Sequence, residues 1–460
     1  MADNKTIIII VAAVVVVAAI GVGAFFLLNN NNGGNNDDPT YDIPDTRMLA
    51  FGNANNDNYL DQKDVKFIQS IIDGSVTWDK NRNVLADTNT DGKIDQKDVD
   101  LLKDILAGKK TTMYYLNWYG KVRSISYPLA GNIAGSYVDI AWVAWTAGCY
   151  DDITSVRQTQ ENINKLNDTW YPGAASKWKS CSDDANKTFN IEKLLAQKVK
   201  VILADPDFLT DDFLSQIHKA DSSINAIELP INRAVNEVDW THTIITLGAM
   251  YNNQGETKEY VQFVEEVESA IKQKMEEVKK KYPDQTFLIC YEPDGPTSTA
   301  LDIFGTTAVQ YGDVVNMVRL PLSCALDPVG PSGWVEGYKI EDIITLNPTV
   351  ICIESWGRLN TLTSEAEYKA TMDTWASYFE QTGAYKNDNV LGFAFEIYGS
   401  TPGIAGMIYM GAQIWPDVFD EAEGIEYLNE YLQNFTPLGE DFDVTENYGF
   451  LPDQWGAHID

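Results

Sequence analysis

Two stretches near the start of the chain have the residue types and spacing to hold a hard cation. The first runs Asn53, Asn55, Asp57, Tyr59, Asp61, Asp64; the second, in the same register, runs Asp87, Asn89, Asp91, Lys93, Asp95, Asp98. Side-chain oxygens fall at loop positions one, three, five, nine and twelve, and Tyr59 and Lys93 offer a backbone carbonyl at position seven. Ca2+ takes about six to eight oxygen ligands and needs a loop that turns sharply enough to aim them at one point. Two calcium sites are therefore expected. The first should be the weaker, because Asn53 replaces a carboxylate at position one and Asn58 stands where the second loop has Gly92. An Asp/Asn-rich surface hairpin without an ion is the competing reading, and it does not explain two loops in register.

A second set of acids lies at the ends of apolar runs. VILA leads to Asp205, INAI to Glu228, TFLICY to Glu292, TVICI to Glu354 and GFAF to Glu396. Trp356 and Tyr398 follow the last two, and Trp145 and Arg319 flank other apolar runs. Carboxylates and flat rings around a gap suit capture of a macrocycle or an aromatic chelator, with Arg319 meeting an anionic group on it. Each acid alone is as readily a solvated loop residue or a helix cap. A pair of them about 5–9 Å apart would instead suit glycoside hydrolysis. The histidines (His218, His242, His458) show no paired ligand spacing, which counts against a bare Zn2+ or Mn2+ site.

Strands must position these acids, and the sequence supplies them in duplicate. Lys339 to Glu354 reads as a short amphipathic helix, a turn at Asn347-Pro348, and an unbroken β-branched run that suits a parallel strand buried on both faces. Asn190 to Pro206 says nearly the same: Glu192 matches Glu341, Leu194-Leu195 matches Ile343-Ile344, and VKVIL matches TVICI. Two copies so far apart imply two similar α/β lobes rather than a solenoid. Between them Thr257 to Lys281 keeps helical apolar spacing without Gly or Pro, and Pro283 stops it. YYLNWYGKVRSISYP reads as an opening hairpin, and VDIAWVAWTAGCYDDITSV as an early strand and then a helix. Ligands of open parallel sheets sit outside the carboxyl ends of the strands, which is where the acids fall.

Composition bounds the rest. The 460 residues, 44% of them hydrophobic, suffice for several cores, and 34 basic against 67 acidic residues give a net charge of −33. That balance disfavours nucleic acid or an anionic membrane surface as partner, since both need neutralising Lys and Arg. The five cysteines lack CxxC spacing; Cys290 and Cys352 sit in strand-like runs and should be buried, and a Cys149–Cys181 disulfide is left open. Ile7 to Leu28 is an unbroken apolar run preceded by Lys5, longer than the apolar region of a typical signal peptide, and reads as an uncleaved single-pass anchor. Asn29 to Asp45 is a polar, Gly/Asn-rich tether.

Two resemblances follow. The duplicated loops, each with Asp at position twelve and each leading into an apolar-spaced helix, resemble a dockerin. That resemblance implies a small all-α calcium domain and contact with a cohesin module through Gln62, Lys63, Gln96 and Lys97, or else a role as a stiffening spacer. From about Tyr114 onward the chain resembles the solute-binding proteins of ABC importers, in the branch that takes ferric siderophores, haem and cobalamin. The residues that carry it are LNPTVI at Leu346 to Ile351, the weaker QKVKVI of the first copy, WASYFEQTGAYKNDNVLGFAFEIYG, MGAQIWPDVFDE and YLNEYLQNF. It implies two Rossmann-like lobes joined by a long helix, ligand binding by Trp145, Asp205, Glu292, Arg319, Glu354, Trp356, Glu396 and Tyr398, and no enzymatic step. It also implies a permease partner contacted by Glu192 and Glu341, two residues that would otherwise serve only to complement helix dipoles.

The expected organisation is an anchor over 1–28, a linker over 29–46, a calcium domain over 47–110, lobes over 111–254 and 284–460, and a connecting helix over 255–283. The expected function is extracellular capture of a metal chelate or tetrapyrrole-type ligand. The alternatives are a dockerin-bearing glycoside hydrolase using acids such as Glu354 and Glu396, and a cohesin-held scaffold. Chelation of calcium should unfold residues 47–110 and leave the rest of the chain folded.

Overall fold

A computed structural model describes Tyr41, Pro44 and residues 46–446 except 118, 139, 167, 169–170, 184–187, 206–207, 230–239, 294–297, 304–334, 356–364 and 395–402. The apolar run Ile7 to Leu28 and the residues Arg319, Trp356, Glu396 and Tyr398 lie outside these. Among the described residues no helix is long and apolar enough to cross a membrane.

The α/β body opens with an antiparallel hairpin, β1 (Thr111–Leu116) and β2 (Val122–Tyr127), as YYLNWYGKVRSISYP implies. Five parallel strands follow: β3 (Ile133–Gly135), β4 (Ile153–Val156), β5 (Lys179–Ser180), β8 (Val201–Ala204) and β9 (Asn225–Glu228), in the order β5-β4-β3-β8-β9. A two-stranded excursion, β6 (Ser182–Asp183) with β7 (Thr188–Phe189), hangs between β5 and β8. The second sheet runs β12-β11-β10-β13-β14, built from β10 (Phe287–Tyr291), β11 (Ala300–Ile303), β12 (Val335–Lys339), β13 (Val350–Ser355) and β14 (Val390–Ala394). In it β10, β13 and β14 are parallel, β11 runs antiparallel beside β10, and β12, antiparallel to β11, forms the edge and runs the same way as β10. Two open sheets result, not one closed barrel.

The internal repeat is structural as well as sequential. Helix Ile191–Ala196 enters β8, and helix Ile340–Leu346 enters β13. Both β8 and β13 lie one strand in from a parallel edge, and every residue of each is buried. At equivalent places after the two helices the chain turns through a left-handed residue, Lys198 (φ 55°) and Asn347 (φ 51°). That conformation costs an L-residue about 1–2 kcal/mol, and Asn tolerates it better than Lys. Lys198→Asn is therefore expected to stabilise the chain by about 0.5–1 kcal/mol, read as a higher urea midpoint with unchanged slope. The reverse change, Asn347→Lys, should cost more, because Asn347 Oδ1 also accepts from the Gly383 amide at 2.7 Å.

The 28-residue helix Gln254–Lys281 joins the sheets. Tyr260, Val261, Val264, Val267, Ile271, Met275 and Val278, the positions that set its apolar spacing, are all buried. It packs on helices Trp240–Met250 and Gly403–Ile414, the second buried at every position. One expected order is reversed. In VDIAWVAWTAGCYDDITSV the helix, Ile140–Thr146, precedes the strand β4. A short apolar run carries no periodicity that separates a buried helix from a strand.

Residues 47–106 do not stand apart. Helices Gln62–Ile72 and Gln96–Leu106 start from Asp61 and Asp95, each in a capping box with Asp64 or Asp98. Val65, Ile68, Val99, Leu102 and Ile105 from these helices belong to the same hydrophobic core as both sheets and the connecting helix. Ala50 bridges Tyr115 on β1, and the Phe51 amide donates to the Tyr114 carbonyl at 2.9 Å. The outer face of the first sheet has its own smaller core around Ile202, Ala204, Leu194 and Ile217.

Candidate functional site

The carboxyl edges of the parallel strands collect the chemistry. In the first lobe Ser136 follows β3, Arg157 follows β4, and Asp205 follows β8. Ser136 Oγ donates to Asp205 Oδ2 at 3.2 Å, and the Arg157 amide donates to the Gly135 carbonyl at 2.8 Å. The Arg157 guanidinium lies 3.8 Å from the Phe208 ring centroid and 5.0 Å from that of Tyr137, while those two rings meet edge-on at 5.4 Å. Burial lowers the pKa of Arg157, and Tyr137, Cys181 and Asp205 act against that shift. Asp205, expected to line the site, is there but buried beneath half-buried Tyr137 and Phe208. Ser136, Tyr137, Arg157 and Phe208 were not foreseen. Arg157 directly follows the strand ITSV, which is too short and too polar to give the signal that found the acids.

In the second lobe the structure brings Glu292 and Glu354 to neighbouring strand ends. Tyr291 faces Glu354 in register, the Glu292 amide donates to the Glu354 carbonyl at 2.9 Å, and Ser355 Oγ donates to Glu292 Oε2. Glu354 is equivalent to Asp205 in the repeat and is likewise buried, with 3% of its surface exposed. Its charge adds to burial in pushing the Cys290 thiol up. The sites expected at Glu396, Tyr398, Trp356 and Arg319 fall outside the described residues.

Two other residues have different surroundings. Glu228, at the end of β9, accepts from Arg123 Nε and from Asn117 Nδ2, both at 2.6 Å, and so ties the hairpin to the sheet edge. Trp145 sits in the last turn of helix Ile140–Thr146, exposed, with its ring 5.4 Å from Tyr150. A helix that follows a parallel strand runs back from its carboxyl edge, so Trp145 lies at the end remote from Asp205. By the same geometry helices Ile191–Ala196 and Ile340–Leu346 begin at the carboxyl edge. Glu192 and Glu341 are exposed in their first turns, one on each lobe and on the same side as the buried acids.

Cys149, Cys181, Cys290 and Cys352 are buried free thiols, which corrects the open Cys149–Cys181 pairing. Burial pushes the Cys181 thiol up to about 12, opposed by Ser155, Arg157 and Lys193, so it is not a reactive thiolate.

The two Asp/Asn loops close by the same hydrogen bonds. Asp64 accepts from the Asn55 and Asp61 amides, and Asp98 from the Asn89 and Asp95 amides. Position four is left-handed in both, at Asn56 (φ 58°) and Thr90 (φ 59°). Among the described residues no three His, Cys, Asp or Glu side chains are gathered into a metal centre. A calcium loop draws as well on amide and backbone oxygens. Burial pushes Asp64 up to about 7 and Asp87 up to about 6, each opposed by loop amides and reinforced by neighbouring acids. Asn53 is wholly buried; its Nδ2 serves Asp57 and Met48 carbonyls and Thr46 Oγ1 at 2.7–3.1 Å, which leaves Oδ1 with no donor. Crowded, desolvated acids and an orphaned position-one oxygen fit a cation. Gln62, Lys63, Gln96 and Lys97 are exposed, and each lysine ammonium lies 3.7–3.9 Å from two loop carboxylates.

No family model matches the chain, and no curated protein matches it by sequence. Solved structures do. A TroA-like periplasmic binding protein, FepB, from Veillonella parvula is 14% identical with a TM-score of 0.55, over 71% of this chain and 97% of that one. A periplasmic solute-binding protein, also from Veillonella parvula, is 15% identical with a TM-score of 0.54, over 76% and 97%. The molybdate periplasmic binding protein MolA of Haemophilus influenzae is 14% identical with a TM-score of 0.50, over 70% and 97%. At such identity the likeness is one of fold: a mixed α/β chain with two parallel-sheet lobes of the periplasmic-binding type. The fit spans nearly the whole of each of those chains and leaves part of this one over.

Proposed function

We propose that this chain is the solute-binding component of an ABC importer, capturing a metal chelate or tetrapyrrole-type ligand between its lobes and presenting it to a permease. The observation that carries the reading is the equivalence of Asp205 and Glu354, buried acids ending the same strand of two repeated sheets on either side of one long helix. The fold likeness supports it. Tyr137 and Phe208, held from below by Arg157, offer flat apolar surface to a macrocycle or aromatic chelator, and the Arg157 charge favours an anionic substituent. In this reading Glu192 and Glu341 face the permease, Trp356, Glu396, Tyr398 and Arg319 take part in ligand binding, and the leading apolar run anchors the chain with its bulk outside the cell. No covalent step is needed.

The two Asp/Asn loops are calcium sites in the same proposal, Asn53 to Asp64 and Asp87 to Asp98, with the orphaned Asn53 Oδ1 as the main support for the first. The exposed Gln-Lys pairs leave a cohesin partner open to them. The glycoside-hydrolase alternative has less support, because it wants a closed barrel and the described sheets are two and open.

Titrating the soluble chain with haem, cobalamin and ferric chelates while following Trp fluorescence tests the capture reading. One of these should bind, and Phe208→Ala should weaken that binding about ten-fold, the loss of roughly 1.4 kcal/mol of ring contact. No response to any probe, together with release of sugar from a glycan, would overturn it.

A further inference from the structure

The first calcium loop is bound into the connecting helix, and the second is not. Asn58 Nδ2 donates to Glu265 Oε1 at 3.0 Å, and the Leu60 amide donates to Gln254 Oε1 at 2.8 Å. Gln254 opens the helix that joins the two lobes, and Glu265 lies about three turns further along it. Asn53, at position one, gathers Thr46, Met48 and Asp57 through its Nδ2. Within that gathered segment Arg47 makes an ion pair with Glu268 further along the same helix, with side-chain exposures of 17% and 8%. The Leu49 amide donates to Thr246 Oγ1 at 3.1 Å on the preceding helix, Trp240–Met250. Among the described residues loop two makes no such bond to residues 254–281, and it presents Asp91, Gly92 and Lys93 to solvent.

We infer that calcium in the first loop acts as an interlobe fixture: it fixes the segment Thr46–Leu60 against helix Gln254–Lys281 and so couples cation occupancy to the geometry of the ligand cleft. The inference rests on the calcium reading above and goes beyond it, since that reading would be satisfied by a bead that folds and unfolds alone. The chain of contact is short. A cation held by Asn53 Oδ1, Asp57 and Asp64 orders the loop whose Asn58 and Leu60 grip the helix, and Asn53 Nδ2 holds the strand of chain from which Arg47 reaches Glu268. A ligand that binds only the ordered state stabilises it by RT ln(1 + [L]/Kd), which keeps growing as ligand rises above its dissociation constant. The site expected from its ligand charges to bind more weakly is thus the one with the structural leverage, and the stronger second site is the spectator.

Hydrogen exchange on the full chain, with calcium or with a chelator, reads this directly. With calcium at about ten times its dissociation constant, amides of Gln254 to Glu268 should exchange about ten-fold more slowly. The double variant Asp57→Asn, Asp64→Asn should abolish that protection, and Asp91→Asn, Asp98→Asn should leave it in place. Protection confined to residues 47–110, or helix protection that persists in the first variant, overturns the inference; the wild-type comparison decides it even if a variant fails to fold. Ion counting by native mass spectrometry separates the two layers. Ions bound without helix protection sink the fixture alone, whereas no bound ion sinks the calcium reading and the fixture together.

Discussion

Arg123→Ala is expected to cost about 3–5 kcal/mol of folding stability, and more than Glu228→Ala costs at the other end of the same pair. The asymmetry comes from access to water. The Glu228 side chain is 5% exposed and the Arg123 side chain 22%. Removing the arginine strands a carboxylate in the interior with, among the described residues, Asn117 Nδ2 alone to hold it. Removing the glutamate leaves a guanidinium that can turn outward and recover its hydration. Urea melts at constant slope give the two losses. Equal losses, or the reverse order, would mean that the hairpin is fixed to the sheet edge by packing and not by this pair.

Gly424→Ala is the second large effect expected, about 3 kcal/mol of destabilisation. A Cβ at Gly424 would stand 2.5 Å from Tyr409 Cα and 2.6 Å from Tyr409 N. Those are backbone atoms of a fully buried helix, so no side-chain rotation relieves the overlap and helix Glu421–Asn434 must lift off Gly403–Ile414. Gly255→Ala is the control. It lies in the first turn of the connecting helix with nothing within 4 Å of the added carbon, and the lost chain freedom should stabilise by about 0.5–1 kcal/mol. If both changes behave alike, backbone proximity at Gly424 is not what holds the two helices together.

What the sequence disclosed followed physical distinctness. The two helix-strand units were legible because β-branched residues in a run buried on both faces leave a signal that few other structures share. Asp205 and Glu354 came with them, as the residues next in line. The connecting helix was legible from seven apolar positions that all proved buried. Residues 140–156 were misread because IAWVAW is apolar throughout and its period cannot show. Arg157 was missed because its strand, ITSV, is short and half polar, and a charged residue after such a strand looks like an ordinary loop. The position of Trp145 depends on the direction of its helix, which the misreading had replaced by a strand. How Asn58, Leu60 and Arg47 meet the connecting helix is a contact between residues some two hundred positions apart, and no local pattern announces it.

The bridge between Ala50 and Tyr115 bears on how this molecule can be divided. Leu49 and Phe51 occupy the free side of β1, accepting from Leu116 and donating to Tyr114. An expression product trimmed to begin at Thr111 would therefore bare a ready-made edge on which Met113 and Tyr115 had been sealed from solvent. Two such products would offer each other the missing strand, and clumping is the expected fate of the shortened protein.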